Sequence, residues 1–98
     1  MEMLKGDKKV RAHIFVSGVV QGVFFRASVA EKARNLDLSG WIKNLDDGRV
    51  EIIFEGSEER IKKMVFWIRS EPGMWRIKDI QIEWQSYKED FNNFEIRR

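Results

Sequence analysis

The chain has 98 residues, enough for one domain with a modest core. It has no cysteine and one histidine, which removes disulfides, thiolate catalysis and structural zinc together. Eighteen basic against 16 acidic side chains leave a net charge of +2 with the signs interspersed, so charge gives no case for a nucleic-acid partner.

Residues Met1 to Lys9 read as a charged, flexible tail without the apolar core of a secretory signal, followed by a single domain over residues 10–98. No apolar run reaches membrane-spanning length, and the expectation is a cytoplasmic monomer. Charged residues at 35% with a single proline lean toward a thermophilic source.

The first strand is expected from Val10 to Val16, with Val10, Ala12, Ile14 and Val16 on its core face and Arg11, His13 and Phe15 on the other. A lone histidine there reads as a surface residue. Phe25, Val29, Ala33 and Leu36 then fall at helical spacing, so a helix runs to about Asp37. Ser39 to Leu45 and Arg49 to Glu55 read as a hairpin around Asp46-Asp47-Gly48, with Val50, Ile52 and Phe54 inward. Ser57 is an N-cap with Glu58 and Glu59 in the first turn, and Ile61, Met64, Val65 and Ile68 make a second helical stripe. Ser70-Glu71-Pro72-Gly73 stops that helix. Ile77, and more regularly Ile80, Ile82 and Trp84, mark a fourth strand. Gln85 to Asn93 read as a polar loop, and Phe94-Glu95-Ile96 as a short last strand. The order strand, helix, strand, strand, helix, strand is the α+β, ferredoxin-like split βαβ pattern (βαββαβ). Two helices should cover one face of a mostly antiparallel sheet.

The turn between the first strand and the first helix carries the chemistry. In Gly18-Val19-Val20-Gln21-Gly22-Val23-Phe24-Phe25-Arg26, two glycines let several backbone N–H groups converge beside a helix N-terminus, an anion cradle suited to a phosphate. Arg26 stands in the first helical turn, where the helix dipole disfavours a cation, and no acid follows until Glu31. It reads either as a solvated residue covering apolar surface with its stem, or as the bidentate partner of a bound anion. A right-handed crossover brings the end of the second strand to the same edge of the sheet. Asn44 lies there. It reads either as a side chain capping its own turn or as a carboxamide facing the loop. Neither stretch contains a carboxylate or imidazole placed as a general base. Asp46 and Asp47 are accounted for by the turn, with no third metal ligand nearby in sequence. None of Trp41, Trp67, Trp75 and Trp84 needs a role beyond packing.

Two stretches, Gly18 to Arg26 and Gly40-Trp41-Ile42-Lys43-Asn44-Leu45-Asp46-Asp47-Gly48-Arg49-Val50-Glu51, resemble in order the two signatures of the acylphosphatase family. The resemblance extends from Val10 to the C-terminus. It implies the same fold and hydrolysis of small-molecule acyl phosphates to a carboxylate and inorganic phosphate, without metal or cofactor. Arg26 is then the phosphate-binding arginine and Asn44 the residue that positions the attacking water. Inorganic phosphate is expected as product and competitive inhibitor, with no nucleic-acid or membrane partner. The stretch Glu71 to Trp75 is less typical of the family. Two rivals remain: an acylphosphatase-like module that binds an anion without chemistry, and a small RNA-binding domain, for which Phe15 is the best stacking candidate.

Overall fold

Every second residue of β1 (Lys9–Val19) is apolar, and Val10, Ala12, Ile14 and Val16 are buried as a row. The computed structural model describes residues 8–98, so Met1 to Asp7 of the expected tail lie outside the described residues. β1 runs past the expected end at Val16, because β4 (Arg76–Ser86) pairs with it as far as Val19 opposite Arg76. Ser17 faces Asp79 while Gly18 faces Ile77, so Lys78 is bulged out. A Cβ on Gly18, whose φ is +129°, would collide with the carbonyl of Arg76; that close approach requires glycine. The bulge also resets side-chain parity, and Ile77 and Ile80 both reach the core.

α1 (Phe25–Asn35) buries Phe25, Val29, Ala30 and Ala33 against the sheet. It stops short of the expected Asp37, and Leu36 is its C-cap. The N–H of Asp37 bonds the carbonyl of Arg34 at 3.1 Å and that of Leu38 bonds Ala33 at 2.9 Å. This is a Schellman closure with aspartate, at φ +54°, where glycine is usual.

β2 (Ser39–Asn44) and β3 (Val50–Ser57) form the expected hairpin, with Asn44 opposite Val50 as its last pair; Leu45 falls in the turn. The sheet order is β4-β1-β3-β2-β5, which makes β3 central. Ile53 and Glu55 are therefore buried as well as Val50, Ile52 and Phe54, beyond the simple alternation expected. Glu55 is held in the low-dielectric interior by several donors. Arg11 Nε donates to it at 3.0 Å, the N–H of Lys88 at 2.8 Å and that of Asp90 at 3.1 Å. Those bonds pin the loop after β4 over the end of the face the helices leave open. Gln85 and Ser86, expected in that loop, still belong to β4.

α2 (Glu58–Arg69) starts as its sequence dictates: Ser57 Oγ accepts from the N–H of Arg60 at 3.4 Å, with Glu58 and Glu59 in the first turn. Its buried stripe is Ile61, Met64, Val65 and Ile68. The last strand, β5 (Phe94–Arg97), pairs parallel to β2, with Gly40 opposite Phe94 and Lys43 opposite Arg97. Two helices on one face of a mixed five-stranded sheet give the α+β ferredoxin-like sandwich, extended by β5. No helix of the described residues is long and apolar enough to cross a membrane.

Candidate active site

The N-terminus of α1 lacks what α2 has. Its N-cap, Phe24, lies in the left-handed region (φ 60°, ψ 22°) and offers no side-chain bond; no acid stands in the first turn. Gly22 has φ +74°, so the chain curls tightly between β1 and α1. Among the described residues, the backbone N–H groups of Gln21, Gly22, Val23, Phe24, Phe25, Arg26 and Ala27 find no hydrogen-bond acceptor. Such a run of unpaired donors at a helix start is positive in potential and suited to an anion.

Gly22, Phe24, Phe25, Arg26 and Ala27 border a cleft of about 310 Å³ that Val20, Asn44 and Ile96 also line. That volume lies near the lower end of small-molecule sites, roughly 300–1,000 Å³. Arg26 lies within the first turn of α1. Its Nη1 donates to the carbonyl of Arg97 at 3.2 Å, so β5 holds the guanidinium at the cleft. Asn44 comes from the end of β2, as the crossover argument requires. Its Oδ1 is buried and has no hydrogen-bond partner among the described residues. The turn beyond is closed by Asp47 instead, whose carboxylate accepts from the N–H of Arg49 at 3.0 Å and from its Nε at 2.8 Å. The N–H of Arg49, and to a lesser degree its guanidinium, hold the Asp47 carboxyl below its ordinary range.

The other loop residues divide by role. Gly18 and Val19 are the closing residues of β1, paired with Ile77 and Arg76, so the curl begins after them. Val20 and Phe25 are buried, Val23 packs against the core, and Phe24 is 81% exposed at the rim. Gln21 turns away from the cleft: its Nε2 donates to the carbonyls of Leu45 and Arg49, both at 2.9 Å. The loop is thus tied to the hairpin that carries Asn44. Phe25 meets Trp75 edge-on at 5.1 Å between ring centroids, and Trp75 Nε1 donates to the carbonyl of Ile68 at 3.1 Å. The stretch Glu71 to Trp75 therefore supports the start of α1 from below, and Glu71 accepts from the N–H of Ile77 at 2.7 Å.

Sequence reasoning missed Ala27 and Ile96 as lining residues, the anchor at Arg97 and the tether made by Gln21. Ile96 had a signal, since it shares the parity of buried Phe94; the Gln21 tether had none. His13 sits on the sheet face away from the helices, 2.7 Å from Glu51 Oε2. On that face Phe15 is covered by the guanidinium of Arg49, 4.9 Å from the ring centroid. Among the described residues, Arg26 is the one ionisable side chain that lines the cleft, and no group of three or more His, Asp or Glu could hold a metal ion.

Known proteins resemble this chain in both sequence and fold. Residues 12–96 match the acylphosphatase family. An acylphosphatase of Aeropyrum pernix is 47% identical over 93% of this chain and 91% of its own length. One from Pyrobaculum calidifontis is 46% identical over 89% of this chain and 80% of its own. The crystal structure of the Bacillus subtilis acylphosphatase superposes with a TM-score of 0.85 at 36% identity, over 91% of this chain and 99% of that one. With matches of this extent on both sequence and fold, the chain belongs to the acylphosphatase family of enzymes.

Proposed function

We propose that the cleft hydrolyses the carboxyl–phosphate bond of small acyl phosphates, with the phosphoryl group held by Arg26 and the amides of the loop, and the water positioned by Asn44. The observation that carries this reading is the run of unpaired amides from Gln21 to Ala27, beside a cleft that Arg26 and Asn44 both line. Within the Gly18–Arg26 stretch, Gly18 and Val19 deliver the chain from β1. Gln21, Gly22, Val23, Phe24 and Phe25 offer amides that Arg26 complements with its fork.

Phosphoryl transfer asks for positioning and charge stabilisation more than for covalent chemistry. Three non-bridging oxygens on the amides and guanidinium leave the fourth ligand of phosphorus, the acyl oxygen, directed out of the cradle. A water oriented by the Asn44 carboxamide then approaches phosphorus opposite that bond. As the new P–O bond forms, the bond to the acyl oxygen breaks and its electron pair leaves with the carboxylate. The water's proton passes to a phosphate oxygen, since among the described residues no carboxylate or imidazole lines the cleft to take it. One acyl phosphate and one water thus give one carboxylate and one dihydrogen phosphate. Charge grows on the phosphoryl oxygens and the departing carboxylate, where fixed donors act most strongly in a site shielded from water.

The same reading makes inorganic phosphate a competitive inhibitor and needs no metal or cofactor. It takes residues 10–98, with Lys9 of the expected tail already paired in β1, as a single domain acting as a monomer in the cytoplasm. The test is phosphate release from benzoyl phosphate in the presence of chelator, by the unmodified protein and by Arg26→Ala. Release that survives chelation and disappears in the variant is expected. A strict divalent-metal requirement, or near-normal turnover by Arg26→Ala, overturns the reading.

A further inference from the structure

Phe24 combines two features that folding does not reward. Its backbone is left-handed at φ 60°, a conformation in which a bulky residue is an outlier. The residue is 81% exposed and its ring makes no ring or cation contact among the described residues. Its neighbour Phe25 takes the opposite course, buried against Trp75. Glycine or asparagine would hold the left-handed N-cap with less strain. The aromatic ring therefore contributes something other than the turn.

Across the cleft stands Ile96, 44% exposed, on the same face of β5 as buried Phe94. It directly precedes Arg97, whose carbonyl holds Arg26. Two apolar side chains thus flank the one cation of the cleft, and both line it. Phe24 is only two residues from Arg26, a separation of at most about 7 Å along the chain. A phosphoryl group on Arg26 and the amides would place its acyl substituent at the mouth, between the ring and the isoleucine.

We propose that Phe24 and Ile96 form an apolar subsite for the carbon skeleton of the acyl group, and that Phe24 is the specificity-determining residue favouring aromatic or branched acyl phosphates over acetyl phosphate. This rests on the reading of the cleft as a phosphoryl site. The residues contribute area rather than hydrogen bonds, so the discrimination is graded and depends on the size of the acyl group. The ring also shields the phosphoryl group from solvent once an acyl group lies against it.

The experiment compares kcat/KM for benzoyl phosphate and acetyl phosphate in the unmodified protein, Phe24→Ala, Phe24→Leu, Ile96→Ala and Phe66→Ala. Phe66 is an exposed aromatic of α2 outside the cleft and serves as control. Phe24→Ala should lower the benzoyl-to-acetyl ratio of kcat/KM about tenfold, over and above any loss common to both substrates. Phe24→Leu should keep part of the preference, Ile96→Ala should lose part of it, and Phe66→Ala should change neither substrate. In parallel, calorimetry measures binding of inorganic phosphate and of benzylphosphonate to the same proteins. The benzylphosphonate-to-phosphate affinity ratio should exceed one in the unmodified protein and collapse toward one in Phe24→Ala. Equal loss on both substrates, or an unchanged ratio, overturns the subsite. If the unmodified protein releases phosphate from neither compound, the hydrolytic reading fails. The affinity ratio then still decides whether the subsite exists.

Discussion

Replacing Asn44 by alanine separates the two roles its position allows, because they move stability and turnover in different directions. Asn44 Oδ1 is buried without a partner among the described residues, and a buried acceptor left unsatisfied costs about 1–3 kcal/mol. Truncation removes that acceptor, while the turn beyond keeps its closure through Asp47 and Arg49. Stability should therefore hold or rise. In a domain of this size about 1 kcal/mol corresponds to about 4–8 °C in Tm, so a rise of a few degrees is within reach of a thermal melt. Turnover should fall by roughly 10²–10³, the usual consequence of losing one preorganised polar group from a transition state. Inhibition by inorganic phosphate should change little, since Arg26 and the loop amides make that contact. Asn44→Asp should do no better than alanine, because a carboxylate there repels the phosphoryl group. A cap at this position would give the reverse: a loss of about 1 kcal/mol in stability with turnover kept. A lowered Tm together with near-normal phosphate release from benzoyl phosphate would refute the assignment.

Arg26→Ala should nearly abolish turnover and phosphate inhibition. Its Tm should move by only a few degrees, because relief at the helix N-terminus (about 0.3–1 kcal/mol) offsets the lost bond to Arg97. Arg26→Lys should rescue poorly in the same assay, having no planar fork. Gln21→Ala removes both donations to the hairpin, so a stability loss of about 1–2 kcal/mol and a drop in kcat are expected, read by melting and by steady-state kinetics. Gln21→Glu should be no better, since a carboxylate would face two carbonyl oxygens. Glu55→Ala leaves Arg11 with Asp90 as its carboxylate partner and strands the amides of Lys88 and Asp90, and denaturant titration should register a loss of about 1–3 kcal/mol for each stranded amide. The Asp47 carboxyl, lowered by the N–H of Arg49, adds stability to the turn above its unfolded pKa. That stability is lost only as the pH falls through the lowered value, so an NMR titration should find its midpoint below that of an exposed aspartate.

Local rules read well where one face of an element meets the core. The rows Val10-Ala12-Ile14-Val16 and Ile61-Met64-Val65-Ile68 state their own periods, and Ser57 announces its helix by capping it. The order of elements then suffices for the fold, and the crossover rule suffices to bring Asn44 to the loop. Arg26 stood out in the sequence for the opposite reason: it violates the dipole rule that α2 obeys. Features set by a partner strand were not legible. The extension of β1 to Val19 depends on β4, and the burial of Ile53 and Glu55 depends on β3 being central and on the loop after β4 crossing it. The closure of α1 at Asn35 depended on aspartate accepting a left-handed backbone that glycine usually takes.

The division of labour inside the loop follows from the same physics. A backbone cradle has no stiffness of its own, and unpaired amides gain preorganisation only if the residues bearing them are fixed from outside. Each flank is fixed by a different element. Gly18 is pressed against β4, Gln21 is bonded to the β2–β3 turn, Phe25 is wedged on Trp75, and Arg26 is bonded to β5. Between these anchors the backbone can spend its donors on a ligand instead of on the chain. The anchors converge because β2, β3 and β5 place the hairpin turn and the carbonyl of Arg97 at one edge, where the crossover also delivers α1. The extra parallel strand is thus part of the site as well as of the sheet: without β5, Arg26 would lose its fixed acceptor and the cleft would lose the Ile96 wall.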